Sequence, residues 1–180
     1  MSIVNSIETV REWLGSTVCP MVQLKLPDDS ATDASYPYKL VNPTAFSLFV
    51  PSKDRLPPKV PAPIPSVCVQ IVEGTDSLTM SSRSIKIRLC FSAWDPGYHG
   101  RDIFKPKNDG SGAYVQWQNE EAAAFFEKNG EGWRDAWNFV DTALRMIENA
   151  EYIGPLRVMK EDGITFGPVS EQDAVPDFYP

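Results

Sequence analysis

The chain has 180 residues, and a typical domain has about 100 to 200, so we expect a single domain spanning 1–180. Apolar side chains make up 42% of the composition, enough to build one core, which excludes a chain that is disordered throughout. With 17 basic and 24 acidic residues the net charge is −7. This negative charge disfavours binding to nucleic-acid phosphates.

No apolar run approaches the roughly 20 residues that a membrane span requires, and residues 1–5 lack the basic and apolar regions of a signal peptide. We therefore expect no membrane contact and synthesis in the cytoplasm. Cys19, Cys68 and Cys90 are odd in number and lie in apolar stretches. This predicts buried free thiols in a reducing compartment.

The first 50 residues predict a helix and two short strands. Ser2 can cap a helix whose apolar residues recur at helical spacing, and we expect Gly15 to end it. The apolar residues are Ile3, Val4, Ile7, Val10, Trp13 and Leu14. Residues 18–26 alternate apolar with polar side chains, which predicts a strand with one exposed face, and residues 45–50 predict a second strand.

Residues 51–65 contain six prolines, which exclude an α-helix and favour an extended segment. Such a segment is able to bind an SH3-like groove. A stiff crossover along the edge of a sheet is the commoner use, and we expect that structural role.

Residues 67–71 and 85–91 each alternate apolar with polar side chains, which predicts two strands of a hairpin joined by a turn-rich loop over residues 73–82. The polar face of the second strand carries Lys86 and Arg88, followed by Cys90 and Ser92. We expect this face to meet solvent or a partner.

Residues 98–132 predict an insertion or long loop in which only residues 120–128 are typical of a helix. Its aromatic residues Tyr98, Phe104, Tyr114 and Trp117 follow neither helical nor strand periodicity. Because protein interfaces favour aromatic side chains, we expect these four residues to contact the polar face of a neighbouring copy's hairpin, including Lys86 and Arg88.

Residues 133–147 predict the core helix, with an apolar stripe at helical spacing. The stripe comprises Trp133, Ala136, Trp137, Val140, Ala143, Leu144 and Ile147. Short strands are predicted at residues 156–159 and 164–166, around the turn at Asp162-Gly163. The fold class is therefore α/β (α+β), with a mixed, mostly antiparallel sheet backed by an N-terminal helix and this long helix in the C-terminal half.

Catalytic chemistry has little support. His99 is the only histidine, and a Cys90–His99 pair oriented by Asp95 or Asp102 has no nucleophile elbow or papain-like context around it. We expect no catalytic residues, although a small cytoplasmic enzyme or ligand-binding domain centred on Cys90 and His99 remains the alternative.

Cofactor and metal sites have no sequence support either. Gly110-Ser111-Gly112 lacks the lysine and the strand-to-helix setting of a phosphate loop. The cysteines lack zinc-site spacing, and the acidic pairs lack EF-hand spacing. We expect neither a cofactor nor a metal.

The order of elements resembles the tail terminator proteins of long-tailed bacteriophages. The resemblance rests on Pro65-Ser66-Val67-Cys68-Val69-Gln70, the Glu73-Gly74 turn, the second hairpin strand, Gly132-Trp133-Arg134-Asp135 with its long helix, and Pro176-Asp177-Phe178-Tyr179-Pro180. It covers residues 57–180. The sequence departs from the family by ending at Tyr179-Pro180, where the family continues with a last strand, and by the large 98–132 insertion.

The resemblance implies a virion protein that assembles in the host bacterial cytoplasm as a ring, a hexamer, which caps the tail tube and joins it to the head connector protein. Its partners would be itself, the tail tube protein and the connector. Genomic DNA would pass through without specific binding, since an acidic lumen gains nothing from counterion release. A neck or minor capsid component fits the same residues.

Overall fold

In the computed structural model the described residues are 2–27, 38–60, 62–94, 104–106, 114–116, 132–161 and 163–167. The chain begins with helix α1 (Ile3–Trp13), and the Oγ of Ser2 caps it by accepting a hydrogen bond from the Asn5 amide at 3.1 Å. The predicted cap is therefore confirmed.

Gly15 does not end this helix. The chain widens into a π-helical turn (Leu14–Val18) and then a 3₁₀ turn (Cys19–Met21), so the strand predicted over residues 18–26 is limited to Leu24–Pro27. Leu14 and Val18 are both fully buried. Continuing the helical path keeps these two side chains on the core, which outweighs the weak helix propensity of Gly15.

The described residues also form nine strands and a second helix, α2. The strands are β1 (Leu24–Pro27), β2 (Tyr38–Val41), β3 (Thr44–Ser47), β4 (Ser66–Ser77), β5 (Ser82–Ser92), β6 (Phe104–Pro106), β7 (Tyr114–Gln116), β8 (Tyr152–Ile153) and β9 (Leu156–Arg157), and α2 spans Gly132–Asn149.

The central sheet has the order β3-β4-β5, with β3 parallel to β4 and β4 antiparallel to β5. The other pairs, β1-β2, β6-β7 and β8-β9, are antiparallel. The predicted α+β class, with mixed and mostly antiparallel sheets and two helices, is confirmed. The 98–132 stretch contains the β6-β7 ribbon, so it is not loop alone.

The proline-rich segment connects the two parallel neighbours β3 and β4. It contains one 3₁₀ turn (Lys53–Arg55), and the Thr44 amide donates to the Pro65 carbonyl at 3.1 Å where the two strands begin. β3 ends at Ser47 rather than at residue 50, because Leu48 takes a positive φ of 67° and donates its amide to the Val69 carbonyl.

The core lies between α1, α2 and one face of the central sheet. Its buried residues are Ile7, Val10, Leu14, Val18, Cys19, Leu24, Val67, Val69, Phe139, Ala143 and Ile153. Phe139 is fully buried, and its ring packs edge-on against Phe91 with centroids 4.8 Å apart.

The predicted apolar stripe of α2 is only partly correct. Ala143 is buried as expected, but Val140 and Leu144 are only half-buried, while Phe139, which lay outside the predicted stripe, is completely enclosed. The helix is rotated so that Phe139, Ala143 and Met146 face the core. Helical spacing alone cannot choose between two adjacent apolar stripes on one helix.

After α2 the chain turns back at β8-β9 and packs on α1. Gly154 has a φ of 56°, and a Cβ there would lie 2.8 Å from the Cγ2 of Thr9, so this turn requires glycine. Residues 156–157 form part of the first predicted strand, whereas residues 164–166 are not a strand. Within the described residues, no strand pairs with residues 164–166.

Candidate interaction site

The β4-β5 hairpin extends well beyond the core. Its strands continue through the predicted loop at 73–82, and only residues 78–81 form the turn. Val69 is the last buried residue of β4, and no residue from 70 to 88 is buried. We call residues 70–88 the hairpin arm. The strand prediction stopped short because the arm is polar, although cross-strand pairing continues through it.

A β-bulge shifts the alternation of side chains between the two faces of the arm. The register between β4 and β5 shifts between Ile71 and Glu73, which leaves Val72 as the extra residue, 47% exposed. Beyond this bulge Gly74 and Asp76 lie opposite Ile85 and Arg83. These residues continue the face of the sheet that packs on the helices.

The tip of the arm exposes two large apolar side chains. Leu78 is 92% exposed and Met80 76% exposed, while the Oγ of Ser77 accepts a hydrogen bond from the Met80 amide at 3.3 Å. Behind the tip, Arg83 forms a two-point ion pair with Asp76. The turn is thus held in place, and its apolar side chains project from a defined conformation.

At the base of the arm a groove of about 260 Å³ separates the start of α1 from the hairpin. Its lining residues include Ile3, Ile71 and Ile85, with Asp76 and Arg83 at the end nearer the tip. The groove places the N-terminal end of α1 beside the arm.

The predicted interface residues Lys86 and Arg88 lie on the polar face of the arm. Lys86 pairs in register with Glu73 and Arg88 with Gln70, and both basic side chains are exposed. The Oε1 of Gln70 accepts a hydrogen bond from the Cys90 thiol at 3.5 Å. Lys86 and Arg88 are therefore accessible on this face, and their expected contact with a neighbouring copy stays a prediction.

Of the four predicted insertion aromatics, Tyr98 and Trp117 lie outside the described residues. Phe104 and Tyr114 begin the short strands β6 and β7, and their expected contact with a neighbouring copy stays a prediction. In the register of this ribbon Phe104 lies opposite Gln116, and Tyr114 lies opposite Pro106.

A second apolar surface lies on α2, where the sequence predicted core. Trp133 is 61% exposed and Trp137 37% exposed, and the ring of Trp137 meets that of Phe166 with centroids 6.2 Å apart. Phe166 is itself 68% exposed. We call Trp133, Trp137 and Phe166 the aromatic patch.

The arm and the aromatic patch are separate surfaces that share no residue. α1 starts beside the arm and leads into β1, where Lys25 forms an ion pair at 3.6 Å with Asp135 in the first turn of α2. The guanidinium of Arg134 lies over the Trp133 ring, 5.3 Å from its centroid.

Sequence reasoning missed Leu78, Met80 and Phe166 as surface residues. A signal existed for the first two, because Ser77-Leu78-Thr79-Met80-Ser81-Ser82 places large apolar side chains among residues that favour a turn. No comparable signal marked Trp133 and Trp137, since aromatic residues at helical spacing are typical of a core.

The thiol chemistry of the site does not favour a nucleophile. His99 lies outside the described residues, and burial raises the pKa of Cys90 in spite of nearby Arg88. Burial also raises the pKa values of Cys19 and Cys68 to about 11. A reactive cysteine requires the opposite shift. All three cysteines are free thiols, with Cys19 and Cys68 buried and Cys90 half-buried.

Within the described part of the chain, no group of three or more histidine, cysteine, aspartate or glutamate side chains is placed to hold a metal ion. No helix in those residues has both the length and the apolar character to cross a membrane.

Comparison with known proteins adds no relative: no protein-family model, curated protein or solved structure matches the chain.

Proposed function

We propose that the chain is a structural protein of a phage or prophage tail, a tail terminator that caps the tail tube as a ring, with hexameric symmetry, and joins the tube to the head connector. The observation that supports the proposal is the placement of two of the family-like motifs, whereas Glu73-Gly74, expected as a turn, lies within β4. Pro65-Ser66 stands at the start of β4, and Gly132-Trp133 at the start of α2.

The shape of the surface supports an assembly role. The apolar tip of the arm and the separate aromatic patch each expose large apolar side chains to water, which is typical of interaction surfaces. Ring proteins require two different surfaces that meet between neighbours. The net charge of −7 suits a ring through which DNA passes without adhering.

The proposal gives Cys90 no catalytic role, and it leaves the enzyme alternative without a specific observation in its favour. The thiol donates to Gln70 within the hairpin, and its pKa is raised rather than lowered. A virion location, in the tail, follows from the proposed function.

The test is deletion of the gene from the phage or prophage that carries it, followed by electron microscopy of the lysate. A tube without its cap has no fixed end, so we expect tubes of variable length without heads, and tails of normal length after complementation in trans. Complementation with Cys90→Ser should restore tails as fully as the wild type. Head-attached tails of normal length in the deletion strain would reject the proposal.

A further inference from the structure

We propose that the tip of the hairpin arm of one copy packs on the aromatic patch of a second copy of this chain, in a contact that repeats head to tail. The proposal deepens the ring of the proposed function and rests on it for ring closure, whereas the contact itself requires only two copies.

The first argument is chemical fit. Leu78 and Met80 stand on a turn held by the Ser77–Met80 hydrogen bond and the Asp76–Arg83 ion pair, so little conformational freedom is lost when they bind. The aromatic patch offers ring faces and edges, with which a methionine sulfur makes favourable contacts. Exposed tryptophans are also the residues that most often dominate interface energies.

The second argument is charge. Residues 70–88 hold three of the 17 basic and two of the 24 acidic residues, so the arm is net positive by one charge and the rest of the chain net negative by eight. The bodies of two copies therefore repel each other, while the arm of one is attracted to the body of the next. This asymmetry disfavours contact between the bodies of two copies and favours contact between the arm of one copy and the body of another.

The third argument is position. The tip and the patch are different surfaces, one on the β4-β5 turn and the other on α2 and Phe166. A contact between two different surfaces is heterologous, and it leaves one tip and one patch unused in every dimer. Each addition therefore presents the same pair of surfaces again until a ring closes.

The test is photo-crosslinking with a benzophenone amino acid at Thr79, which is exposed and leaves Leu78 and Met80 in place. Isotope-labelled and unlabelled protein are mixed so that crosslinks between copies can be identified by mass. We expect crosslinked dimers and larger species joined within residues 133–145 or 163–167. The same probe at Glu12, exposed on α1, is the matched control and should give no such product.

Two variants sharpen this test. Leu78→Ser with Met80→Ser should lower the crosslink yield at least about tenfold, the loss expected on removing a dominant contact, and should leave the melting temperature unchanged, because both side chains are exposed. Trp133→Ser should lower the yield in the same way. A 1:1 mixture of the tip variant and the patch variant, each carrying the probe at Thr79, should stop at dimers, since it has one working tip and one working patch.

The contact is rejected if crosslinks between copies are absent, map elsewhere, or persist in the tip variant. This result is separable from the deletion experiment. Crosslinks at the patch together with normal tails in the deletion strain would keep the contact and reject the tail role, and long tubes without these crosslinks would do the reverse.

Discussion

The two halves of the β4-β5 hairpin share one register but differ in what holds them. In the base, Val67 and Val69 are fully buried and β3 pairs along β4. In the arm, from residue 70 outward, the only described strand that pairs with β4 is β5. The residue pairs nearest the turn are exposed. The base is stabilised by burial, whereas the arm depends on local pairing and presents a surface.

This difference separates stability from function within one hairpin. Changes at the base should unfold the protein. Changes in the outer part of the arm, beyond Ile71 and Ile87, which pack against the core, should leave the fold intact while altering association. Most of the free energy of burial lies with α1, α2 and the base of the sheet. The four predictions below test this division, in order of decreasing expected effect.

Phe139→Ala should have the largest effect, a loss of about 3 to 5 kcal/mol in the free energy of unfolding, because the ring is fully enclosed and packs on Phe91 at the base. Val140→Ala, one position along the helix and half-buried, should cost clearly less. Urea denaturation of both variants measures the difference. Equal losses would show that the core-facing side of α2 has been assigned wrongly.

Shortening the arm should have a much smaller effect on stability. Replacing residues 76–83 with Asn-Gly joins Thr75 to Ser84, which are register partners, through a two-residue hairpin turn. Because the segment removed contains no buried side chain, we expect a change below about 1 kcal/mol. A loss comparable to that of Phe139→Ala would mean that the arm belongs to the folding core.

Side-chain periodicity decides how much of the difference between base and arm can be predicted from the sequence. Apolar and polar side chains alternate clearly at the base of the hairpin, and this pattern correctly predicts the strands that contain Val67, Val69 and Phe91. Residues 73–82 of the arm are predicted as a loop because glycine and polar residues such as Gly74 and Ser82 are typical of turns, while hydrogen bonding between two backbones requires no side-chain pattern.

The helices show a second limit. Ser2 was identified as a cap because capping depends on one side chain and the amide of Asn5, both local. The side of α2 that faces the core is not decided by local interactions. Trp137 and Phe139 are both apolar, and packing against the sheet decides which of them is enclosed. The same limit affects the candidate site, because the spacing of Trp133 and Trp137 predicts core residues whereas both are exposed.

Thiol accessibility offers a finer comparison, because Cys68 and Cys90 are register partners on one face of the hairpin. Cys68 is buried with its pKa raised to about 11, whereas Cys90 is only half-buried. In native protein at pH 8, Ellman's reagent should react with Cys90 first and with Cys68 and Cys19 at least about 100-fold more slowly, since few thiolates form there. Cys90→Ser should remove the fast phase, and three equal rates would contradict the buried base.

The smallest expected effect concerns two carboxyl groups, one at the base and one in the arm. Glu8 on α1 accepts a hydrogen bond from Ser47 of β3 at 2.6 Å, and this bond, together with Arg11, lowers its pKa below the ordinary 4.5. The pKa of Asp76 is lowered mainly by its hydrogen bond to Arg83 within the arm. Ser47→Ala should therefore raise the pKa of Glu8 in an NMR titration and leave that of Asp76 unchanged, and Arg83→Gln should do the opposite.

Because the pKa of Glu8 is lowered by folding, its contribution to stability is complete above pH 4.5 and is lost as the pH falls through the lowered value. The stability difference between wild type and Ser47→Ala, below about 1 kcal/mol for so exposed a carboxylate, should accordingly shrink on acidification. A difference that grows at low pH, or a single substitution that moves both pKa values, would show that base and arm are not independent.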